Sequence, residues 1–218
     1  MTYNIVEIFH SIEGEGKRAG QSATFIRLAG CNLRCSYCDT TYAMDGTFTE
    51  MTLDEIITQV KSKNIPRVTI TGGEPLLTKN VNKLLQELLK SDIDVNIETN
   101  GSIDIANFAE EHDKNLFFTM DYKLPSSGET NKMHIPNFNK LAEKDVLKFV
   151  ISDEHDVEHM INFLRTLKSN PQIYIGAVFG KYNLQNLVAA ILKYPELKNA
   201  TLQLQLHKII WDPNDRGV

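Results

Sequence analysis

Cysteine is scarce in this chain. There are three in 218 residues, Cys31, Cys35 and Cys38, and they fall within eight positions. An odd, tightly bunched set is a poor disulfide framework. Missing too is any apolar run near the roughly 20 residues that span a membrane. The opening Met1-Thr2-Tyr3-Asn4 has neither the charged nor the apolar region of a signal peptide. Basic charge is not in excess: Lys and Arg number 23 against 28 Asp and Glu, leaving a net charge of -5. That balance argues against a general nucleic-acid surface. Low-complexity linkers are absent, as are repeats beyond a βα rhythm. These absences predict a cytoplasmic protein that meets no membrane and no nucleic acid. They also turn the bunched thiols from disulfides toward metal or redox chemistry.

What is present fits one domain over residues 1–218, with 42% hydrophobic and 23% charged residues. Strands are predicted at Tyr3–Phe9, Ala23–Leu28, Arg67–Thr71, Asp94–Glu98, Leu116–Met120, Val146–Ile151, Ile173–Val178 and Thr201–Leu206. Residues 30–46 lack either periodicity and read as a loop. A helix is predicted from Thr52, where Thr52-Leu53-Asp54-Glu55 has the capping-box pattern. Others carry Val81, Leu84, Leu85, Leu88 and Leu89 on one face, or span Val157–Leu167 and Leu184–Leu192. Alternating strands and helices imply parallel pairing through right-handed crossovers. A full eight-fold barrel needs about 250 residues, so a partial, open α/β barrel is expected. The Gly72-Gly73 and Glu98-Thr99-Asn100-Gly101 loops end strands and should face one site.

The cysteines are spaced Cys31-x3-Cys35-x2-Cys38. Three thiolates on a short loop can hold three irons of a cubane and leave the fourth open to a small molecule. Zinc with a distant histidine is the other reading, although zinc sites usually pair cysteines as C-x2-C with a second pair elsewhere. Spacing alone leaves both open.

Cys31-Asn32-Leu33-Arg34-Cys35-Ser36-Tyr37-Cys38 resembles the C-x3-C-x2-C signature of the radical S-adenosylmethionine (SAM) superfamily. Gly72-Gly73-Glu74-Pro75 resembles its second hallmark, in the right order and about 35 residues on. Residues Glu7 to Gly16, Phe25 to Leu33, Cys38-Asp39-Thr40 and the ending Arg216-Gly217-Val218 resemble the 7-carboxy-7-deazaguanine synthase family. The resemblance runs from the first strand to the last residue and is densest over 7–42. It implies a single-domain, shortened (β6/α3)-type radical SAM barrel, usually in a homodimer. It also implies a [4Fe–4S] cluster, SAM and Mg²⁺, and an electron donor such as flavodoxin or ferredoxin. The reaction it implies turns 6-carboxy-5,6,7,8-tetrahydropterin into 7-carboxy-7-deazaguanine with loss of ammonia.

The same resemblance assigns residues. Cys31, Cys35 and Cys38 would hold the cluster. Tyr37, Gly72, Gly73, Glu74, Glu98, Asn100 and Lys123 would meet SAM. Glu13, Gly14, Glu15, Arg27 and His207 would meet the pterin, with Glu15 on its guanidine-like edge and Arg27 on its carboxylate. Thr40 would ligate magnesium. Taken alone, Glu15 reads as a solvated loop charge, Arg27 as an ion-pair residue, Thr40 as a turn hydroxyl and His207 as structural. Two departures stand out. Asp121-Tyr122-Lys123 replaces a Ser-Pro-Lys motif, and Glu13 stands where the family commonly has glutamine. The runner-up is a glycyl-radical-enzyme activase, against which Gly14-Glu15-Gly16 and Asp39-Thr40 replace its usual flanking residues. A zinc-stabilised binding module is the non-enzyme alternative.

Overall fold

The structure, a computed structural model, describes residues 1–109 and 113–218. Its first two strands, β1 (Thr2–Ile12) and β2 (Ser22–Leu28), form an antiparallel hairpin with Phe9 opposite Phe25 and Ser11 opposite Ala23. The cysteine loop and a short helix α1 (Tyr42–Asp45) follow. Then β3 (Thr49–Thr52) returns to pair antiparallel with the start of β1. Sequence reading places no strand there. Thr49-Glu50-Met51-Thr52 is a largely exposed edge with no apolar alternation to betray it.

From this point the chain turns parallel. The order is α2 (Leu53–Lys61), β4 (Arg67–Gly72), α3 (Val81–Lys90), β5 (Asp94–Thr99), α4 (Ala106–Ala109) and β6 (Leu116–Tyr122). There follow α5 (Ile135–Phe138), β7 (Val146–Ile151), α6 (Glu154–Thr166), β8 (Gln172–Ala177), α7 (Leu184–Lys193), β9 (Thr201–Leu202) and α8 (His207–Ile210). The nine strands of the described residues join one sheet in the order β3-β1-β2-β4-β5-β6-β7-β8-β9, and the pairings from β2–β4 to β8–β9 are parallel. The capping box at Thr52 forms: its hydroxyl accepts from the Glu55 amide, and the Glu55 carboxylate accepts from the Thr52 amide at 2.7 Å. Val68, Ile70, Val95 and Ile97 on the strands are buried with Leu84, Leu85 and Leu88 of α3. Truncating Leu88 to alanine in such a core costs about 2–5 kcal/mol.

The β1–β2 loop closes the end of the barrel where the parallel strands begin. Arg18 pairs with Asp94, the first residue of β5, and also donates to the Asp94 carbonyl at 3.3 Å. Lys17 donates to the Lys144 carbonyl at 2.6 Å and lies 3.5 Å over the Phe117 ring. The same loop bridges the sheet's open side, with the Gly16 amide on Gln203 Oε1 at 2.9 Å and the Leu206 amide on the Gly14 carbonyl at 3.0 Å. This explains why β9 stops after two residues, where Thr201–Leu206 is expected. The chain spends the Leu206 amide on the loop rather than on β8. With one mouth plugged, a ligand has the other, at the carboxyl ends of the strands.

Candidate active site

A cavity of about 590 Å³ opens at those strand ends. Its walls are the cysteine loop, residues of β2 and β4 to β7, the 12–15 turn, His207 with Lys208, and the tail from Pro213 to Val218. The volume lies in the range of small-molecule sites, roughly 300–1,000 Å³.

Close packing at the end of β4 sets the cysteine loop. The Glu74 amide donates to the Gly30 carbonyl at 2.8 Å, and the Gly30 amide to the Ala43 carbonyl at 2.7 Å. A Cβ on Gly73 would collide with the Gly30 carbonyl and with Cβ of Cys31, and Gly72 has φ +148. The two glycines are therefore needed where the loop crosses the strand end. Gly73→Ala is expected to push the loop away and at least halve the iron bound per chain. Anaerobic iron analysis of folded protein checks this; unchanged iron would refute it.

Cys31, Cys35 and Cys38 are half-buried free thiols on this cavity. The Leu33 amide reaches Cys31 Sγ at 3.4 Å and Asn100 Nδ2 reaches it at 3.9 Å. Burial pushes the Cys35 thiol up to about 11, against the pull of the Lys123 ammonium. A bound metal reverses that logic by holding the thiolate. Lys123 bonds Asp121 Oδ2 at 2.8 Å. Two cavity-lining residues carry buried polar atoms with no protein partner, Tyr37 Oη and Asp121 Oδ1. Such atoms are costly unless a ligand or water meets them. Three free thiols with N–H donors beside them, and orphaned oxygens close by, are chemistry that suits a cluster and a polar cofactor.

The carboxylates that the resemblance assigns to SAM are both bonded within the protein. Glu74 is fully buried and is not among the cavity walls. Its carboxylate accepts from the Asn100 amide at 2.7 Å, the Thr99 hydroxyl at 2.9 Å and the Leu76 amide at 3.0 Å. Burial pushes this carboxyl up to about 7 despite those donors. Its side chain ties the ends of β4 and β5 together, beside the Gly72-Gly73 turn. Glu98 is hydrogen-bonded to Thr71, with Lys148, Glu15 and Arg27 as its charged neighbours, so it groups with the 13–15 turn. Asn100 does face the cysteine loop, bonding Asn32 Oδ1 at 3.2 Å. Tyr122 turns away into an aromatic cluster with Phe138, Phe149 and Phe163.

The residues assigned to the pterin converge. Arg27 gives its Nε to Glu7 at 2.7 Å, and Tyr42 bonds the same Glu7 oxygen at 3.1 Å. The guanidinium sits 5.9 Å from the Phe9 ring and 5.7 Å from the Tyr42 ring, while Arg216 covers Tyr42 at 3.8 Å. With Nε committed, its terminal nitrogens remain for an anion. Glu15 is ion-paired with Lys148. Burial would lower the Lys148 pKa, but Glu15, Asp121 and Glu98 carry it above the usual lysine range. His207 opens α8 rather than ending a strand, and it packs so close on Gly14 that a Cβ there would strike its ring. Burial lowers the His207 pKa. Thr40 donates to Asp39 at 2.9 Å, and Lys208 holds the other Asp39 oxygen at 2.7 Å.

Lys148 is the residue that sequence reading misses. Its signal was available: one lysine inside the apolar run Val146-Leu147-Lys148-Phe149-Val150-Ile151 is unusual unless it is paired. The aromatic clamp of Phe9 and Tyr42 gave no such signal.

Residues 25–191 match the Radical SAM superfamily. A 7-carboxy-7-deazaguanine synthase of Clostridium acetobutylicum is 46% identical over 100% of both chains. One from Methanospirillum hungatei is 36% identical over 96% of this chain and 86% of its own. The crystal structure of QueE from Escherichia coli superposes with a TM-score of 0.74 at 21% identity, covering 93% of this chain and 94% of that one. The chain belongs to the radical SAM superfamily and, within it, to the 7-carboxy-7-deazaguanine synthase family, a membership that brings a [4Fe–4S] cluster and SAM as cofactors.

Proposed function

We propose that this protein converts 6-carboxy-5,6,7,8-tetrahydropterin into 7-carboxy-7-deazaguanine and ammonia. The observation that carries the reading is the polarity of the cavity: a clamped arginine with free terminal nitrogens at Arg27, and a carboxylate at Glu15, both walls of one chamber. A substrate with a carboxylate and a guanidine-like edge is complementary to that pair. Cys31, Cys35 and Cys38 would hold the cluster, whose chemistry when bound would be one-electron reductive cleavage of SAM. The chain's own residues bind and orient. Glu7 anchors the Arg27 guanidinium beside the Phe9 and Tyr42 rings, and Lys148 holds Glu15 toward the chamber. The tail from Pro213 to Val218 restricts water. The electron comes from outside the chain, from a small donor protein such as flavodoxin or ferredoxin, and the working form is a homodimer.

The test is anaerobic incubation with the carboxytetrahydropterin, SAM, a reductant and Mg²⁺, read by mass spectrometry. New 7-carboxy-7-deazaguanine supports the reading. SAM cleavage without it would sink the reading and bring forward a glycyl-radical activase.

Magnesium belongs to the same proposal. Thr40 and Asp39 offer adjacent hard oxygens on the cavity wall, and Mg²⁺ takes few protein ligands beside substrate oxygens and water. Turnover is expected to fall sharply in EDTA and recover with Mg²⁺, while Thr40→Ala should raise the Mg²⁺ concentration needed for half-maximal rate. A rate indifferent to divalent cations would remove the metal from the scheme.

A further inference from the structure

The 13–15 turn and β5 bring three carboxylates, Glu13, Glu15 and Glu98, to one cavity. The positive groups there are not shared equally. Lys148 is ion-paired with Glu15 and is the strongest charge favouring ionised Glu98, which Arg27 also favours. The cation that favours ionised Glu13 is Arg18, and Arg18 is engaged by Asp94 beneath the barrel. Glu13 is 2% exposed. Its backbone is already used: the amide donates to the Gln21 carbonyl at 2.8 Å, and its carbonyl accepts from the Gly20 amide at 2.8 Å. What Glu13 can offer a ligand is therefore its side chain. One oxygen of that side chain, Oε1, meets the Thr69 hydroxyl.

We propose that Glu13 is carried as a neutral carboxylic acid, with Thr69 on one oxygen, and that the O–H of the other is a hydrogen-bond donor to the substrate. The physical reason is that like charges in a water-poor site cannot all ionise, and the proton settles on the carboxyl with least cationic support. Burial first, and then the Glu98 charge, push the Glu13 carboxyl up to about 8; Thr69 and Arg18 pull down and Glu15 adds to the rise. A neutral acid selects a ligand bearing an acceptor there, a ring carbonyl or an imine-type nitrogen, and disfavours one presenting an N–H. In the proposed reaction, on which this inference rests, Glu13 would discriminate the heterocycle's acceptor edge while Glu15 accepts from its donor edge.

Glu13→Gln is the test, because glutamine keeps an acceptor for Thr69 and a donor for the cavity but cannot ionise. Two readouts are taken on the anaerobic, cluster-loaded protein from pH 5 to 9. The first is the melting temperature. A carboxyl raised from 4.5 to about 8 in the folded state costs the wild type stability as pH rises through that window, and no more above it. The advantage of Glu13→Gln over wild type is thus expected to grow from pH 5 to 8 and then level. The second is KM for the carboxytetrahydropterin. With Glu13 near 8, the wild-type KM should rise roughly tenfold between pH 7 and 9, and Glu13→Gln should remove that rise. A melting difference that stays flat across the range, or a Glu13→Gln chain that does not fold, overturns the neutral acid. A growing melting difference with identical KM profiles overturns its role as donor. Failure of the proposed function would look different: no product from wild type at any pH, with the melting series unaffected.

Discussion

Alanine at any one of Cys31, Cys35 or Cys38 is expected to abolish SAM cleavage, dropping 5′-deoxyadenosine formation to the background of enzyme-free reductant. The three thiols share one short loop, face one cavity and have no disulfide partner. No fourth cysteine exists in the chain to substitute for a lost ligand. Removing one thiolate therefore leaves a site that soft-metal chemistry cannot complete. Serine is a useful second variant. It keeps the size of the side chain but exchanges a soft thiolate for a hard hydroxyl, so it should fail nearly as badly. The measurement is anaerobic iron and sulfide content alongside deoxyadenosine yield. A variant that retains full iron and full cleavage would remove its cysteine from the ligand set.

The second large effect is expected at the two ends of the cavity. Arg27→Ala and Glu15→Ala should each weaken pterin use by roughly ten- to a hundred-fold, because a charge-assisted hydrogen bond contributes about 1.5–3 kcal/mol. SAM binding should barely change in either variant, since the Gly72-Gly73 turn and the cysteine loop are untouched. Arg27→Lys should also be poor. Nε of Arg27 is anchored on Glu7 and the group is flanked by Phe9 and Tyr42, a planar arrangement that a lysine cannot copy. The two truncations differ in what they leave behind. Losing Arg27 leaves Glu7 with its Tyr42 hydrogen bond. Losing Glu15 leaves the partly buried Lys148 ammonium without its ion pair, so part of the measured loss would be the cost of that unpaired charge. A cycle with Lys148→Met separates the terms. If Glu15→Ala is rescued when combined with Lys148→Met, the orphaned lysine was the main effect. If it is not, the loss belongs to the substrate. Normal conversion by both single variants would overturn the substrate assignment.

How much of this could be read without coordinates depends on the range of the interactions involved. The cysteine loop was legible because its ligands are separated by three residues or fewer, so the whole motif lies in one short stretch; spacing pointed to a metal, and the resemblance of residues 31–38 and 72–75 to the radical SAM signatures pointed to a cluster. The βα rhythm was legible because amphipathic periodicity is local. The α2 start was legible because Thr52 and Glu55 cap each other across one turn. The edge strand β3 was not, since its pairing partner is the start of β1 and its own residues show no buried face. The helix α6 begins at Glu154, three residues before the predicted Val157, because Asp153 caps it by accepting from the Asp156 amide.

The sequence by itself determined the chemistry that is written in neighbouring residues: three thiols bunched for a cluster, a two-glycine turn at the end of a strand, and a single α/β domain. Only the tertiary structure decided which side chains share a charge environment. Lys148 meets Glu15 across 133 positions, and Lys208 meets Asp39 across 169. Glu74 and Glu98 are both carboxylates at strand ends 24 residues apart in one sheet. One is spent on backbone amides inside the protein and the other faces the 13–15 turn. No local pattern distinguishes them. Electrostatic energy depends on distance in space and on burial, and both are set by how β1, β2 and the chain's last residues fold back over the parallel strands.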